Sequence, residues 1–166
     1  MDVDDSQFEA GLSLNHLKIG NIDFPADASE RIKMTISEQM VLECLFTTST
    51  EIRHLLEKLP NYLFILAGLA GKTTSILLPY VLKQAKEKGK AALVITWSPL
   101  HFEGKLRKQR FSDTVNKIIY LADYLFIQNN QSIAAQNREK NLSRLYKKLD
   151  ETIINQIENL KTDKHE

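Results

Sequence analysis

Leu63-Phe-Ile-Leu-Ala-Gly68-Leu-Ala-Gly71-Lys-Thr-Thr-Ser-Ile-Leu-Leu-Pro79-Tyr-Val81 is the stretch that decides the fold. It opens on Leu63 to Ala67, a continuous apolar run that suits a strand buried on both faces. A glycine-bearing turn, Gly68 to Thr74, follows. Ile76, Leu77, Tyr80, Val81 and Gln84 then fall at helical spacing, which predicts a helix over 73–88 with Gly89 as its stop. Pro79 sits inside it, where a proline removes a backbone bond at a cost of ~3 kcal/mol, so a kink is expected. Working outward, Ala91 to Trp97 (AALVITW) reads as a second buried strand, ended by Ser98-Pro99. Residues 103–121 read as a helix with Leu106, Phe111, Val115, Ile118, Ile119 and Leu121 inward. Tyr124 to Ile127 reads as a third strand, closed by a polar turn from Gln128 to Gln131. Strand, helix, strand, helix, strand with crossovers of this length predicts an α/β fold with a parallel sheet and right-handed connections. Ligands on such sheets sit at the carboxyl ends of the strands, where the loops after Ala67, Trp97 and Ile127 converge.

The flanks are read from the same periodicities. Leu142, Leu145, Leu149, Ile153, Gln156 and Leu160, with Tyr146 and Ile157 beside them, make an amphipathic stripe of about five turns. Such a helix faces a core or docks a partner. Before the first strand, Ser29 with Ile32, Ile36, Met40, Val41 and Leu45 reads as a helix over 29–45. A second helix is expected over 50–59, and Asn21 to Asp27 reads as loop.

Composition excludes several function classes. At 166 residues a chain buries roughly 70% of its unfolded surface, so no disulfide or metal staple is needed. Cys44 is the only cysteine, which rules out an internal disulfide and a thiolate cluster. His16, His54, His101 and His165 have no ligand spacing, so no metal site is expected. Twenty-two basic side chains against 21 acidic ones give no global field to recruit nucleic acid or anionic lipid. No apolar stretch approaches the ~20 residues of a membrane-spanning helix, and the acidic N-terminus is no signal peptide. The expectation is a soluble, cytoplasmic protein. Charge is uneven locally: Asp2, Asp4, Asp5 and Glu9 open the chain, while residues 83–110 carry six lysines and two arginines against Glu87 and Glu103. That basic stretch is either a solvated face or a surface beside a phosphate site.

Three groups of residues could carry chemistry. Gly71, Lys72, Thr73 and Thr74 follow a strand and open a helix, where backbone N–H groups and the positive dipole end favour phosphate. They are not a Walker loop, which needs a glycine where Leu66 stands. The plain alternative is a strand-to-helix turn with Thr73 or Thr74 as N-cap. Glu103 and Arg107 are four apart, a spacing that fits an ion pair or a joint grip on a nucleotide's sugar and phosphate. Tyr146 and Asp150, also four apart, offer a ring to stack on and an acceptor for the N1–H and N2 donors of guanine.

Together these residues resemble the FtsZ/tubulin family of GTPases. The family's AGMGGGTGTGAAPVV lines up without a gap on Ala67 to Val81, including Pro79. Thr96 to Arg107 is similar to the family loop ending in P-F-x-F-E-G-x-x-R, departing at Trp97-Ser98 and Leu100, and Ile127 to Asn130 echoes its I-P-N-D. The guanine-facing central helix of the family resembles the segment with Tyr146 and Asp150. The resemblance implies a Rossmann-like three-layer domain with a mostly parallel sheet, lacking the family's first strand and second domain. It divides the chain into a divergent N-terminal part (1–60), an FtsZ-like nucleotide-binding core (61–133), a central-helix-like segment (134–160) and a charged tail (161–166). It implies GTP or GDP as ligand, with Mg2+ accompanying the nucleotide, and Gly71, Lys72, Thr73, Thr74, Glu103, Arg107, Tyr146 and Asp150 as its contacts. Four of the five glycines of GGGTGTG are replaced, which should tighten the phosphate cradle. With the water-activating loop of the second domain missing, no autonomous GTP hydrolysis is expected, and no catalytic residue is assigned. The partners implied are full-length FtsZ or other filament subunits, with no nucleic acid and no membrane insertion. The alternative is a nucleotide-free interaction module that caps or modulates filaments of a full-length FtsZ.

Overall fold

The computed structural model describes residues 39, 41–43, 45–137 and 141–162, the last three for their backbone alone. The acidic start, the loop Asn21 to Asp27, Cys44, His16, His165 and most of the helix expected over 29–45 lie outside the described residues. The elements, in order, are α1 (Ser49–Lys58), β1 (Tyr62–Leu66), α2 (Lys72–Glu87), β2 (Ala91–Trp97), a 3-10 turn (His101–Glu103), α3 (Lys105–Ile118), β3 (Tyr124–Gln128), α4 (Asn130–Asn137) and α5 (Leu142–Thr162). The strands form one parallel sheet in the order β1-β2-β3, with Leu66 beside Ile95 and Trp97 beside Gln128. The α/β fold with a parallel sheet is therefore as the sequence predicts.

Side-chain alternation explains where the core sits. Leu63 and Ile65 of β1, Ala92 and Val94 of β2 and Leu125 of β3 point to one face. There they meet Leu77, Leu78, Val81, Leu82 and Ala85 of α2, Ile118 of α3, and Ile52 and Leu56 of α1. With consecutive strand order, crossovers of one hand fall on the same side of the sheet, and α2 accordingly packs against both α1 and α3. The other face stays largely open. Tyr62, Phe64 and Leu66 are 83%, 57% and 55% exposed, and Tyr124 is 71% exposed. Here β1 departs from the expectation of a strand buried on both faces. Only the C-terminal half of β2 meets it, with Val94, Ile95 and Thr96 all sealed.

The ends of the elements follow local chemistry. Gly89 ends α2 at φ 66°, a left-handed conformation that residues with a Cβ adopt at a cost. The helix runs through Pro79, whose missing N–H deprives the Ser75 carbonyl of its i+4 donor. The helix expected over 103–121 begins later, because Gly104 at φ 91° separates the 3-10 turn from α3. In α3 the inward stripe also differs: Leu106 and Ile119 are exposed, whereas Thr114 is buried with its hydroxyl donating to the Arg110 carbonyl at 2.7 Å. The polar run after Ile127 is no turn. Gln128 ends β3, and the Asn129 side chain accepts the Ser132 N–H at 3.1 Å, starting α4.

The basic stretch 83–110 is split between opposite ends of the sheet. Lys86 donates to the Tyr120 carbonyl, Lys88 pairs with Glu57 at 2.7 Å, and buried Lys90 donates to the Leu59 carbonyl at 2.7 Å. These tie the loops at the start of the strands together. The Lys88–Glu57 pair holds the Glu57 carboxyl below its ordinary range, chiefly through the hydrogen bond from Lys88. Only the cations on α3 lie on the side of the strand C-termini.

A one-sided core makes a contrast testable. Leu82→Ala, in the sealed core, should destabilise the protein by about 2–5 kcal/mol. Phe64→Ala, on the open face, should change it by no more than about 0.5 kcal/mol. Urea unfolding curves of the two variants check this, and equal losses would mean that both faces are core.

Candidate nucleotide site

The three loops at the carboxyl ends of the strands do converge. Between the first two lies a cavity of about 210 Å3, lined by Gly68, Ala70 and Gly71 of the first loop, Trp97 at the end of β2, Pro99 and Glu103 of the second loop and Arg107 of α3. A second, more open cavity of about 330 Å3 shares Pro99 and extends toward His101, Lys108, Asn129 and Ser132.

The glycine turn is tightly built. The Gly71 N–H donates to the Gly68 carbonyl at 3.1 Å, and Arg110 reaches back to the Ala70 carbonyl at 3.2 Å. Gly71 is the N-cap of α2, so neither Thr73 nor Thr74 caps the helix. The first intrahelical bond is Ser75 N–H to Gly71 O at 3.0 Å. No side chain caps this end and no acidic residue occupies its first turn. N–H groups of a first turn lack i−4 carbonyls, which leaves this helix start suited to an anion. A Cβ added at Gly71 would stand 3.3 Å from the Gly68 carbonyl oxygen, so the residue is small because the turn folds onto it.

Glu103 is largely enclosed and committed. One carboxylate oxygen accepts the Leu100 N–H at 2.8 Å, and the other accepts Arg107 Nη1 at 2.6 Å. The ion-pair reading of the i, i+4 spacing is thus realised, with Arg107 more than half exposed at the cavity edge. Tyr146 joins this pair. Burial pushes its phenol above the ordinary range, the Glu103 charge adds to the rise and Arg107 opposes it. The phenol is therefore neutral and a donor at physiological pH. Its position follows from packing, since Leu100 is sealed against Leu145 and Leu149 of α5. Buried Gln128 adds a bond from Nε2 to the Leu149 carbonyl at 3.2 Å.

Gly71, Glu103 and Arg107 therefore share one cavity wall, Tyr146 lies within electrostatic reach of it, and Lys72, Thr73 and Thr74 form the first turn of the adjoining helix. Asp150 is exposed one turn beyond Tyr146. Sequence reasoning missed Trp97, Arg110 and Gln128. A bulky aromatic at the end of a strand is a usable signal for Trp97; the reach of Arg110 across forty residues to Ala70 leaves no trace in the sequence. Among the described residues no three His, Cys, Asp or Glu side chains group to hold a metal, and none of the helices among them is long and apolar enough to cross a membrane.

Glu103→Gln should bring the Tyr146 titration down toward its ordinary range, because a negative charge that disfavours the phenolate is removed. The ring-carbon chemical shift of Tyr146 against pH reads this. An unmoved titration would mean that the two groups are not neighbours.

Comparison with known proteins places this geometry. No family model matches the chain. Among curated relatives, FtsZ of Haemophilus influenzae is 36% identical over 83 residues, 50% of this chain and 20% of the relative. The mitochondrial division protein fszA of Dictyostelium discoideum is 27% identical over 95 residues, 57% of this chain and 18% of the relative. FtsZ of Rickettsia typhi is 24% identical over 156 residues, 92% of this chain and 32% of the relative. The chain thus spans between 18% and 32% of the length of these relatives. An empty FtsZ dimer from M. jannaschii matches in structure with a TM-score of 0.66 at 23% identity, over 74% of this chain and 36% of that one. The parallel sheet, the glycine turn leading into a proline-bearing helix, and these relatives agree that the chain is similar to part of FtsZ.

Proposed function

We propose that this chain binds a guanine nucleotide, GTP or GDP, at the carboxyl ends of its strands and serves cell division without hydrolysing the nucleotide itself. The observation that carries the reading is the single cavity shared by the glycine turn, Glu103 and Arg107, with Tyr146 beside them. The helix start at Lys72, Thr73 and Thr74, with Gly71 as its cap, and the Arg107 guanidinium supply cationic and N–H donors for phosphate. Glu103 faces the sugar side and holds Arg107 in place. Tyr146 offers a ring to the base, and Asp150, one turn on, an acceptor for its two donors. The donor set fits the phosphate end of a nucleotide. For Mg2+ it fits less well, since among the described residues Glu103 is the only carboxylate on that cavity wall, and the metal would travel with the phosphates.

The absence of turnover rests on the same carboxylate. Among the described residues Glu103 is the one carboxylate lining the cavity, and its bonds from the Leu100 N–H and Arg107 commit it to holding the loop rather than to orienting an attacking water, the task phosphoryl transfer requires of the protein. The division role rests on the names of the relatives, which are division proteins.

A second reading has its own support. The site's polar groups are already paired with one another, Glu103 with Arg107 and Arg110 with Ala70, as suits a nucleotide-free module that caps or modulates filaments of a full-length FtsZ. Co-sedimentation with polymerising full-length FtsZ tests it: polymer mass or length should fall as this chain is added, and unchanged polymer counts against it.

Calorimetry and thermal shift with GTP, GDP and ATP test the first reading. Guanine nucleotides should bind and raise the melting temperature, and ATP should do so less. Asp150→Ala should weaken guanine nucleotides by about a kcal/mol or more, because a charged acceptor for two donors is lost. No heat and no shift at millimolar guanine nucleotide would sink the reading.

A further inference from the structure

We infer that the indole of Trp97, the only tryptophan in the chain, is a plug on the phosphate end of the cavity, and that a phosphate-bearing ligand must swing it off the glycine turn to bind. The inference rests on the nucleotide reading above only for the ligand's identity.

Trp97 ends β2, and its benzo ring lies on the first loop. A Cβ at Gly68 would stand 3.2 Å from Cζ2, 3.8 Å from Cε2 and 3.9 Å from Cη2. Three atoms of the six-membered ring thus cover one glycine, in space that an open cradle would leave to phosphate oxygens. The loop beneath is not free to withdraw, since Gly71 bonds Gly68 and Arg110 bonds Ala70. The backbone on the other side is fixed as well. Thr96 is sealed in the core, and the Ser98 N–H donates to the Gln128 carbonyl at 2.9 Å. What can move is the side chain, by rotation between staggered wells. With the indole seated, about 210 Å3 remains, below the ~300–1,000 Å3 of sites that enclose a drug-sized ligand. A platform for base stacking would present its ring to the cavity and leave the turn open. Here the ring lines the cavity and covers Gly68 as well.

Pyrophosphate is the probe that separates plug from base recognition. Titrated into the wild-type protein, it should shift the tryptophan emission to the red and make it more easily quenched by acrylamide, as the indole enters water. Calorimetry should give Trp97→Ala about tenfold tighter pyrophosphate binding than wild type, with Trp97→Phe between them, each variant checked for a native circular dichroism spectrum. Gly68→Ala keeps the tryptophan but puts a methyl beneath it, so its emission should be red-shifted before any ligand is added. This variant carries the test if Trp97→Ala does not fold. Pyrophosphate affinity equal or lower in a folded Trp97→Ala overturns the plug, as does binding that leaves wild-type emission unmoved or no binding to either protein. If pyrophosphate binding tightens while GTP, GDP and ATP bind alike, the plug stands and the guanine reading falls. If GDP binds wild type and Trp97→Ala equally, the plug falls and the guanine reading stands.

Discussion

Ala91 to Trp97 pairs in parallel with a strand on each side, and the registers place Ile95 beside Leu66 and Trp97 beside Gln128. Everything at the functional end follows from that double pairing. β2 and β3 end level with each other and β1 two residues earlier, so the loops that follow leave from one edge of the sheet. Asp123 reinforces the register from the far end, since its carboxylate accepts the Ala92 N–H at 2.7 Å and its own N–H donates to the Ala92 carbonyl at 3.0 Å. A slip of one residue would turn Val94 and Thr96 out of the helix-side core and carry Trp97 off Gly68. Register here is a constraint on the site as much as on the fold.

A second constraint is the way the site is held together by groups that would also serve a ligand. Glu103 fixes Arg107, the Leu100 cluster fixes Tyr146, and Arg110 fixes the glycine turn. Each bond organises the cavity, and on the proposed reading each would be shared or exchanged with a nucleotide.

Much of this was legible because local rules dominate locally. Continuous apolar runs gave the strands to within a residue, and Gly89 marked the end of α2 by its need for positive φ. The i, i+4 spacing of Glu103 and Arg107 was sufficient to expect their pairing. The illegible parts depend on tertiary contacts. An apolar strand does not reveal which of its faces a helix will cover, so the exposure of Tyr62, Phe64 and Leu66 could not be read. The helix Asn130–Asn137 hid in a polar run because its start is a side-chain cap rather than a periodic pattern. The nearness of Tyr146 to Glu103 came only through family resemblance, since no spacing rule connects positions so far apart in the chain.

The open face of the sheet has a thermodynamic consequence. Tyr62, Phe64, Leu66 and Tyr124 remain hydrated in the folded chain, so they contribute little to the apolar area newly wetted on unfolding. Heat capacity and denaturant sensitivity both scale with that area. Compared with a sheet covered on both sides, this one should have a smaller heat-capacity change and a flatter dependence of stability on temperature. Its melting would be broader, and its resistance to cold correspondingly greater.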